Sequence, residues 1–421
     1  MLEIERKMNE EIINNNKEMM EEFEDIIKEF KDFRKNNIPL CAAENVISDF
    51  SKIPLKMGLQ ERYILGGYLN YDITDNMIGS EKVLPLYQLI AKQCNKIFDS
   101  YYCDCRSLSG MNGMINLLLA LTQKGDTVLL SSPECGGHAS LPNIVERLGL
   151  NIIYAPFDYS KYDYDYEAIN KILQNNKIDI VLLAPSDLIT IPDFKKIDYY
   201  EHILYIFDAS QVMGLIAGRV VANPLKSNNN MIILGGTHKT IPGVTKAIIL
   251  TDNKKYAEKI DECINPDYIR NTQLHHVASL FYTLLEVETF GKKYAEKMIN
   301  NANYLGDMLN NKGFEVCKLS KGVYTCTHQL LIKMGQKKVE DFYNNCIKYN
   351  ITLNKKKKLL YSGTGIRLGV QEITRYGWER EDIDVLAQIL YMIYCSDGDY
   401  DKIFELINKI KNKKTIQYTF R

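Results

Sequence analysis

Two polar side chains at the ends of neighbouring apolar segments give this chain its first chemical signal. One apolar segment ends at Asp208, and a second ends in a glycine-rich run that contains Thr237, His238 and Lys239. An amine and a carboxylate placed in this way suit pyridoxal phosphate, because the amine forms a Schiff base with it and the carboxylate keeps its pyridine nitrogen protonated. We therefore predict a pyridoxal phosphate enzyme with the cofactor bound covalently to Lys239. The alternative is that Lys239 is an ordinary solvated lysine.

A phosphate site is predicted at the start of the helix that follows Ser109. Ser109 can cap this helix, and Gly110 and Met111 lie in its first turn. A hydroxyl and free backbone N–H groups at a helix N-terminus bind phosphate, although a plain N-cap explains the same residues. Thr237 and His238, just before the lysine, are predicted to add a phosphate hydroxyl and a contact to the cofactor ring.

Two further candidates, His138 and Arg367, each allow two interpretations. His138 follows a strand-like segment and a pair of glycines, where its ring could stack on a pyridine ring or serve a structural role. Arg367 lies at the centre of an apolar segment, and burying a guanidinium without a partner is costly. It therefore either pairs with an internal acid or binds a substrate carboxylate through its bidentate fork. The sequence alone leaves both possibilities open.

The composition describes an ordinary globular protein. The chain has 421 residues, 46% of them hydrophobic and 25% charged, and this length predicts more than one domain. The formal net charge of -1 gives no reason to expect nucleic acid or an anionic membrane as a partner. Two short basic runs, Lys355 to Lys358 and Lys409 to Lys414, are predicted to be solvated loop or helix faces.

Location and redox state are predicted from what the sequence lacks. It contains no uncharged apolar stretch of about eighteen residues that would span a membrane, and its N-terminus does not resemble a signal peptide. Cys103 and Cys105 form a C-x-C pair, but no second Cys/His pair follows at zinc-finger spacing. We expect no metal site, reduced thiols and a cytoplasmic location.

Alternating helical and strand-like segments between residues 80 and 250 predict an α/β fold. The sheet is expected to be mostly parallel with helices on both faces, and ligands of such sheets bind at the carboxyl ends of the strands. The strand-like segments are Val128 to Leu130, Ile152 to Tyr154, Ile178 to Leu183, Ile203 to Phe207 and Met231 to Leu234. Asp208 and Lys239 fall at such ends.

The flanking parts of the chain predict an N-terminal helix and a smaller C-terminal α+β domain. Residues 8 to 36 carry apolar side chains at helical spacing outside the main core, and such a segment often packs on another subunit. A long helix from Leu274 to Asn311 precedes three strand-like segments, Phe314 to Leu319, His328 to Lys333 and Gly365 to Val370. The predicted division is an N-terminal helical arm (1–36), a large cofactor-binding domain (37–285) and a small C-terminal domain (286–421).

Several motifs, in one order along residues 35 to 395, resemble those of the serine hydroxymethyltransferase family. That family has the motifs A-S-E-N, G-C-E-Y-V, H-S-G, P-G-D-T, D-M-A-H, T-H-K-T, T-D-N-H and S-G-I-R-L-G. Their counterparts here begin at Ala42, Gly79, Leu108, Lys124, Asp208, Thr237, Thr325 and Thr364. The resemblance implies a fold-type I pyridoxal phosphate transferase with a mostly parallel sheet of the seven-stranded type and a smaller C-terminal domain.

The resemblance also implies a role for each candidate. Ser109 and Gly110, with Met111, hold the phosphate, and Tyr63 lies near it. His138 stacks on the ring, Asp208 binds the pyridine nitrogen, Lys239 carries the cofactor and Arg367 takes the substrate carboxylate. Ala43 and Glu44 lie near the substrate. The family's active site lies at a subunit interface, which implies a homodimer.

The chain departs from the family where folate chemistry is performed. Leu65 stands at the position of a catalytic glutamate, and leucine cannot move a proton. Gln211 replaces a histidine that contacts the cofactor's phenolic oxygen, and Ala43 replaces a serine. The use of tetrahydrofolate is therefore uncertain.

These observations predict aldol or retro-aldol chemistry at the Cα–Cβ bond of a small amino acid. Serine hydroxymethyltransferase-like, threonine aldolase-like and transaldolase-like reactions all fit. The alternatives are an aminotransferase, racemase, decarboxylase or β-substitution enzyme, or a non-catalytic relative. The retained Lys239, Asp208 and Arg367 argue against the last of these.

Overall fold

A computed structural model describes residues 2–69, 78–395 and 399–420 of the chain. Its α-helices are α1 (Leu2–Asn36), α2 (Asp49–Lys52), α3 (Pro85–Phe98), α4 (Gly110–Leu121), α5 (Leu141–Arg147), α6 (Tyr166–Asn175), α7 (Met213–Ala217), α8 (Lys254–Glu262), α9 (Leu274–Asn311), α10 (Gln336–Lys348), α11 (Gln371–Arg375), α12 (Arg380–Cys395) and α13 (Tyr400–Ile410). Short 3-10 turns and one π-helical segment, Cys263–Tyr268, connect some of them.

A seven-stranded sheet forms the centre of the larger part of the molecule. Its strands are β1 (Tyr102–Asp104), β2 (Thr127–Leu130), β3 (Asn151–Tyr154), β4 (Ile180–Leu183), β5 (Leu204–Asp208), β6 (Met231–Gly236) and β7 (Ala247–Thr251). They lie in the order β1-β7-β6-β5-β4-β2-β3. β7 is antiparallel to both neighbours and the remaining pairs are parallel. The predicted α/β fold with a mostly parallel sheet is confirmed.

A four-stranded antiparallel sheet forms the centre of the C-terminal part. Its strands are β8 (Glu315–Val316), β9 (Gln329–Lys333), β10 (Asn354–Lys358) and β11 (Gly363–Gly369), in the order β8-β9-β11-β10. Two-residue strands also pair Ile38–Pro39 with Ile351–Thr352 and Phe157–Asp158 with Asp163–Tyr164. The first of these pairs joins the segment after α1 to the C-terminal part.

The basic run Lys355 to Lys358 lies in an edge strand, not in the solvated loop or helix face that the sequence predicts. In β10 the side chains alternate, so that Lys355 and Lys357 are exposed while Lys356 and Lys358 are half-buried. The prediction was wrong because a run of one residue type hides the two-residue period of a strand. Its consequence for the site is described below.

Helix α9 continues across the predicted boundary at residue 285, so one unbroken helix joins the two parts of the chain. The division into three domains stays a prediction. Helix α1 exposes a stripe of apolar side chains on the described part of its surface: Ile12, Ile13, Met19, Met20, Phe23, Ile26 and Phe30 are each more than half exposed. Among the described residues, no helix combines the length and apolar character that a membrane span requires.

Three cysteines that the sequence separates meet in the core. The Cys105 Sγ lies 3.8 Å from the Cys94 Sγ and 3.7 Å from the Cys103 Sγ, and all three side chains are buried. All ten cysteines are free thiols. The C-x-C pair is visible in the sequence, whereas Cys94 reaches the pair from helix α3. The expected absence of a metal site stays a prediction.

Candidate active site

A cavity of about 200 Å³ lies at the carboxyl ends of the central parallel strands. Strand β5 ends at Asp208, and Lys239 follows the end of β6, so two neighbouring strands bring the acid and the amine to one edge of the sheet. The cavity is lined by Ser109, Gly110, Met111, His138, Pro185, Ser186, Asp208, Ser210, Gln211, Gly236, His238 and Lys239. Eight of the predicted site residues therefore lie around one cavity.

The N-terminus of helix α4 forms one wall of this cavity. The Ser109 Oγ accepts a hydrogen bond of 3.2 Å from the Asn112 N–H, which caps the helix. A Cβ at Gly110 would lie 3.2 Å from the Ser210 Oγ, so glycine keeps this wall close to Ser210. Backbone N–H groups at a helix N-terminus attract anions, which makes this end of the cavity suited to phosphate.

Asp208 and Lys239 supply the acid and the amine that the sequence predicts. The Asp208 Oδ1 accepts a hydrogen bond of 2.9 Å from the Ser210 N–H, which fixes the carboxylate at the strand end. Burial lowers the pKa of Lys239, although Asp208 raises it, and Arg367 and Lys356 lower it further. A lysine with a lowered pKa spends more time as the neutral amine, which is the nucleophilic form.

Both histidines of the cavity are held in the neutral form. Burial is the main cause of the lowered pKa of His138, and burial with the nearby Lys239 charge lowers the pKa of His238 to about 4. The His138 Nδ1 accepts a hydrogen bond of 3.3 Å from the Ser140 N–H, so the neutral ring carries its proton on Nε2. The His238 Nδ1 is buried and has no hydrogen-bond partner among the described residues.

The orientation of the Gln211 amide follows from its neighbour Gln329. The Gln329 Oε1 accepts from the Leu188 N–H at 3.1 Å, so its Nε2 donates to the Gln211 Oε1 at 2.9 Å. Gln211 uses its oxygen in this contact and keeps its NH₂ group as a donor. A donor suits the phenolic oxygen for which the sequence predicts Gln211.

Arg367 pairs with an internal acid, which is one of the two possibilities that the sequence leaves open. Its Nη1 donates to the Asp187 Oδ1 at 2.9 Å and to the Ser186 carbonyl oxygen at 2.8 Å. Its Nε and Nη2 donate to the Asn354 Oδ1 at 3.1 and 2.7 Å. Four of the five guanidinium N–H groups are thus used within the chain.

Two lysines that sequence reasoning placed on a solvated surface belong to this group. The Lys358 Nζ lies 2.8 Å from the Asp187 Oδ2, and the Lys356 Nζ lies 3.3 Å from the Asp187 Oδ1. We call Asp187, Lys356, Lys358 and Arg367 the Arg367 cluster. The Asp187 carboxylate is completely buried, and the three cations lower its pKa although burial alone would raise it.

Besides Arg367, four predicted residues lie outside the cavity lining. The Thr237 hydroxyl donates to the Val244 carbonyl oxygen at 2.6 Å, so its proton is already used in the turn after the lysine rather than offered to a phosphate. Ala43 and Glu44 lie in the segment that contacts the Lys239 backbone through Asn45. Tyr63 is 42% exposed and lines a different cavity, together with Glu61, Arg62 and Gly79.

Ser186 and Ser210 also line the cavity, and neither was among the predicted residues. The Ser210 Oγ accepts a hydrogen bond of 2.8 Å from the Gly236 N–H, which leaves its own proton free to be donated. Its position two residues after Asp208 could have suggested it, since side chains that follow a strand end lie at the same edge of the sheet. Nothing in the sequence distinguishes Ser186.

The cavity fits pyridoxal phosphate in its donors and acceptors. One side offers Ser109 and the helix N-terminus to a phosphate, another offers the Asp208 carboxylate to a pyridine nitrogen, and Lys239 supplies the amine. The buried His238 Nδ1 has no hydrogen-bond partner in the described part of the chain, and Gly110 has no side chain, so a bound group finds both a polar atom and space here.

Comparison with known proteins extends this result. A family model described as serine hydroxymethyltransferase matches residues 16–390. The serine hydroxymethyltransferase of Staphylothermus marinus is 29% identical over 401 residues, covering 92% of this chain and 90% of its own, and that of Picrophilus torridus is 30% identical and covers 97% of each. The L-threonine transaldolase of Pseudomonas fluorescens, solved in its internal aldimine state, superposes with a TM-score of 0.89 at 22% identity, covering 97% of this chain and 95% of its own.

The match of a family model over most of the chain, together with the cavity around Asp208 and Lys239, decides the assignment. The structural likeness supports the fold alone, because its identity is low. The chain belongs to the serine hydroxymethyltransferase family and is a pyridoxal phosphate-dependent transferase.

Proposed function

We propose that the chain cleaves or exchanges the Cα–Cβ bond of a β-hydroxy amino acid without needing tetrahydrofolate. One observation carries this proposal: eight predicted cofactor-site residues surround one cavity, while a half-buried leucine, Leu65, stands where the family has its catalytic glutamate. Loss of such a general acid–base group costs about a hundred- to ten-thousand-fold in rate. The Pseudomonas fluorescens transaldolase is a relative in fold whose name describes exchange at a β-hydroxy amino acid.

Each residue of the cavity is proposed to contact a different part of the cofactor. Ser109 and the N–H groups of Gly110 and Met111 hold the phosphate, Asp208 holds the pyridine nitrogen and the Gln211 NH₂ group donates to the phenolic oxygen. When bound, the protonated ring supplies an electron sink for negative charge at Cα.

Lys239 is the proposed acceptor of the substrate's hydroxyl proton. Two groups could take it, His138 and Lys239. The Ser140 N–H holds His138 in the tautomer with a proton on Nε2, so this histidine donates rather than accepts there. The lowered pKa of Lys239, caused chiefly by burial, favours a free amine that accepts a proton.

The substrate's α-carboxylate is proposed to bind beside Arg367. Because Asp187 and Asn354 already accept from the guanidinium, the carboxylate meets Arg367 together with Lys356, which is 20% exposed. A buried arginine with its partners in place is rigid, and such preorganisation lowers the entropy cost of binding.

The test is to incubate the purified enzyme with L-threonine and L-serine, with and without tetrahydrofolate, and to measure acetaldehyde, formaldehyde and glycine. We expect glycine and acetaldehyde from threonine at a rate that tetrahydrofolate does not change, and no product from the Lys239→Ala variant. Conversion of serine to glycine only in the presence of tetrahydrofolate would overturn the folate-independent assignment. Conversion of the cofactor to an amine form would instead indicate transamination.

A homodimer and a reducing, cytoplasmic location are also proposed. The apolar stripe on α1 needs a cover, and a second copy of the chain would provide one. Tyr63 lines a separate cavity of its own chain, which supports a role for it in the site of the partner subunit. Ten free thiols, three of them within contact distance of one another, support a compartment in which disulfides do not form.

Complementation tests the shared site. The Tyr63→Ala and Lys239→Ala variants should each be nearly inactive. Co-expressed in equal amounts, they should recover about a quarter of the wild-type activity, because half of the dimers are mixed and each mixed dimer has one intact site. No recovery in mixed dimers would show that Tyr63 acts within its own chain.

A further inference from the structure

The Arg367 cluster holds more positive charge than its own acid can neutralise. One buried carboxylate, Asp187, faces three cations: Arg367 at 2.9 Å, Lys358 at 2.8 Å and Lys356 at 3.3 Å. The exposed fractions of the three cationic side chains are only 5%, 13% and 20%. Two positive charges therefore remain without an acid of the cluster, in a place where water screens them poorly.

The positions of Lys356 and Lys358 in strand β10 show that these two lysines are not there to keep the protein surface soluble. Strand β10 is an edge strand, and lysines on an edge commonly protect it from pairing with other chains. Lys355 and Lys357 lie on the exposed face, where such a role is possible. Lys356 and Lys358 point to the opposite face, and turning a cation inward costs desolvation unless an anion meets it.

The cluster adjoins the cavity directly. Arg367 donates to the carbonyl oxygen of Ser186, a residue of the cavity wall. The Lys358 Nζ lies 3.4 Å from the carbonyl oxygen of Gly137, next to His138. The charges of Lys356 and Lys358 also reach the cavity, since both act on the His138 imidazole and Lys356 acts on the Lys239 amine.

We propose that the substrate carries a second anionic group, a carboxylate or a phosphate, in its side chain. This is the part of the substrate that leaves as the aldehyde when the Cα–Cβ bond is broken. This inference rests on the proposed function, in which the α-carboxylate takes one of the two unmatched charges. The second anionic group takes the other and lies against Lys358. A substrate with a neutral side chain leaves one positive charge of the cluster unbalanced by any anion that the described residues place there.

The simplest substrate of this kind is 3-hydroxyaspartate. Its cleavage breaks the Cα–Cβ bond, transfers the hydroxyl proton to the enzyme and a proton to Cα, and gives glycine and glyoxylate. All atoms are accounted for and no oxidant or reductant is needed. The reverse reaction joins glycine to an aldehyde that bears an anionic group.

A pair of ligands of equal size tests the proposal without turnover. L-aspartate and L-asparagine differ in side-chain charge but hardly in shape, and their binding to the holoenzyme is measured by titration calorimetry. We expect aspartate to bind at least about tenfold more tightly, as a charge pair in a poorly hydrated site should favour it. The preference should disappear in the Lys356→Met/Lys358→Met variant and persist in Lys357→Met, the control on the exposed face of the same strand.

Equal binding of the two ligands by the wild-type enzyme would overturn the proposal, and so would a preference that the double variant keeps. The wild-type comparison decides the question by itself if the double variant fails to fold. Cleavage assays separate this proposal from the one on which it rests. If the enzyme cleaves threonine and 3-hydroxyaspartate at equal rates and does not prefer aspartate over asparagine, only the proposal of a second anionic group is refuted. If it prefers aspartate but cleaves neither substrate, only the proposed reaction is refuted.

Discussion

Two regions of the molecule bury an arginine among acids and lysines, and they differ in charge balance and in access. In the first region Arg106 lies 2.5 Å from an Asp104 oxygen and 3.1 Å from an Asp261 oxygen, and Lys246 lies beside them. One arginine is paired with two acids there, and at most 3% of the arginine and acid side chains is exposed. In the Arg367 cluster, three cations meet one acid beside a cavity.

The comparison shows that burial of a charge does not by itself indicate a functional residue. Lys246 is fully buried and Lys239 is half-buried, and burial is the main cause of the lowered pKa of both, about 7 for Lys246. The Lys246 Nζ donates to the carbonyl oxygens of Arg106 and Thr272 at 2.9 and 2.8 Å, so it connects parts of the scaffold. Lys239 borders the cavity next to Asp208. Unmatched charge and an open cavity distinguish the site from the scaffold.

The largest expected effect separates the two lysines. Lys239→Ala should lower turnover at least about a thousandfold, because the amine that binds the cofactor is lost. The midpoint of urea denaturation of the cofactor-free protein should change little, since Lys239 makes few contacts that the scaffold needs. The Lys357→Met variant serves as the control for removal of a lysine. Substantial residual activity in Lys239→Ala would place the chemistry elsewhere.

Replacing Arg106 should mainly lower stability, whereas replacing Arg367 should mainly weaken substrate binding. Arg106→Met leaves Asp104 and Asp261 buried without the arginine and should lower the free energy of unfolding by about 3–5 kcal/mol. Arg367→Met should cost less stability, because Lys356 and Lys358 still neutralise Asp187, but it should raise the KM for the amino acid. Urea denaturation and steady-state kinetics measure both effects. Equal destabilisation by the two substitutions would refute the distinction between scaffold and site.

A smaller effect concerns the pH dependence of stability. The pKa of Lys246 is about 7 in the folded chain, against an ordinary value near 10.4, so between these values the unfolded chain binds more protons. The free energy of unfolding should therefore rise with pH in this window, by up to about 1.4 kcal/mol per pH unit from this group. Urea midpoints at pH 7 and pH 9 should show this slope in the wild type and a smaller slope in Lys246→Met. Identical slopes would mean that Lys246 titrates normally.

The sequence predicted the parts of the fold that local patterns encode. Five apolar strands of the main sheet, β2 to β6, are placed within one or two residues, and helix Leu274–Asn311 has the predicted bounds. Strands β1 and β7 were not identified. β1 is three residues long and ends at Asp104. This aspartate can be buried at the strand end because Arg106 pairs with it. Such a tertiary ion pair leaves no trace in a local pattern.

Site residues that directly follow a strand or begin a helix were predicted from the sequence. Residues whose role depends on a partner far away in the chain were missed. Asp208, Lys239 and the helix N-terminus at Ser109 carry local signals of cofactor chemistry. Asp187 has no such signal, because its role is to pair with Arg367, which lies 180 residues later in the chain. Lys356 and Lys358 look like any basic run until the strand alternation assigns them to the inner face.

The most direct test of the account is to locate the cofactor's lysine. The holoenzyme is reduced with borohydride, digested and mapped by peptide mass spectrometry. We expect a pyridoxyl group on Lys239 alone, with Lys246, Lys356 and Lys358 unmodified. A pyridoxyl group on one of those lysines instead, or on none, would contradict the assignment of this cavity as the active site.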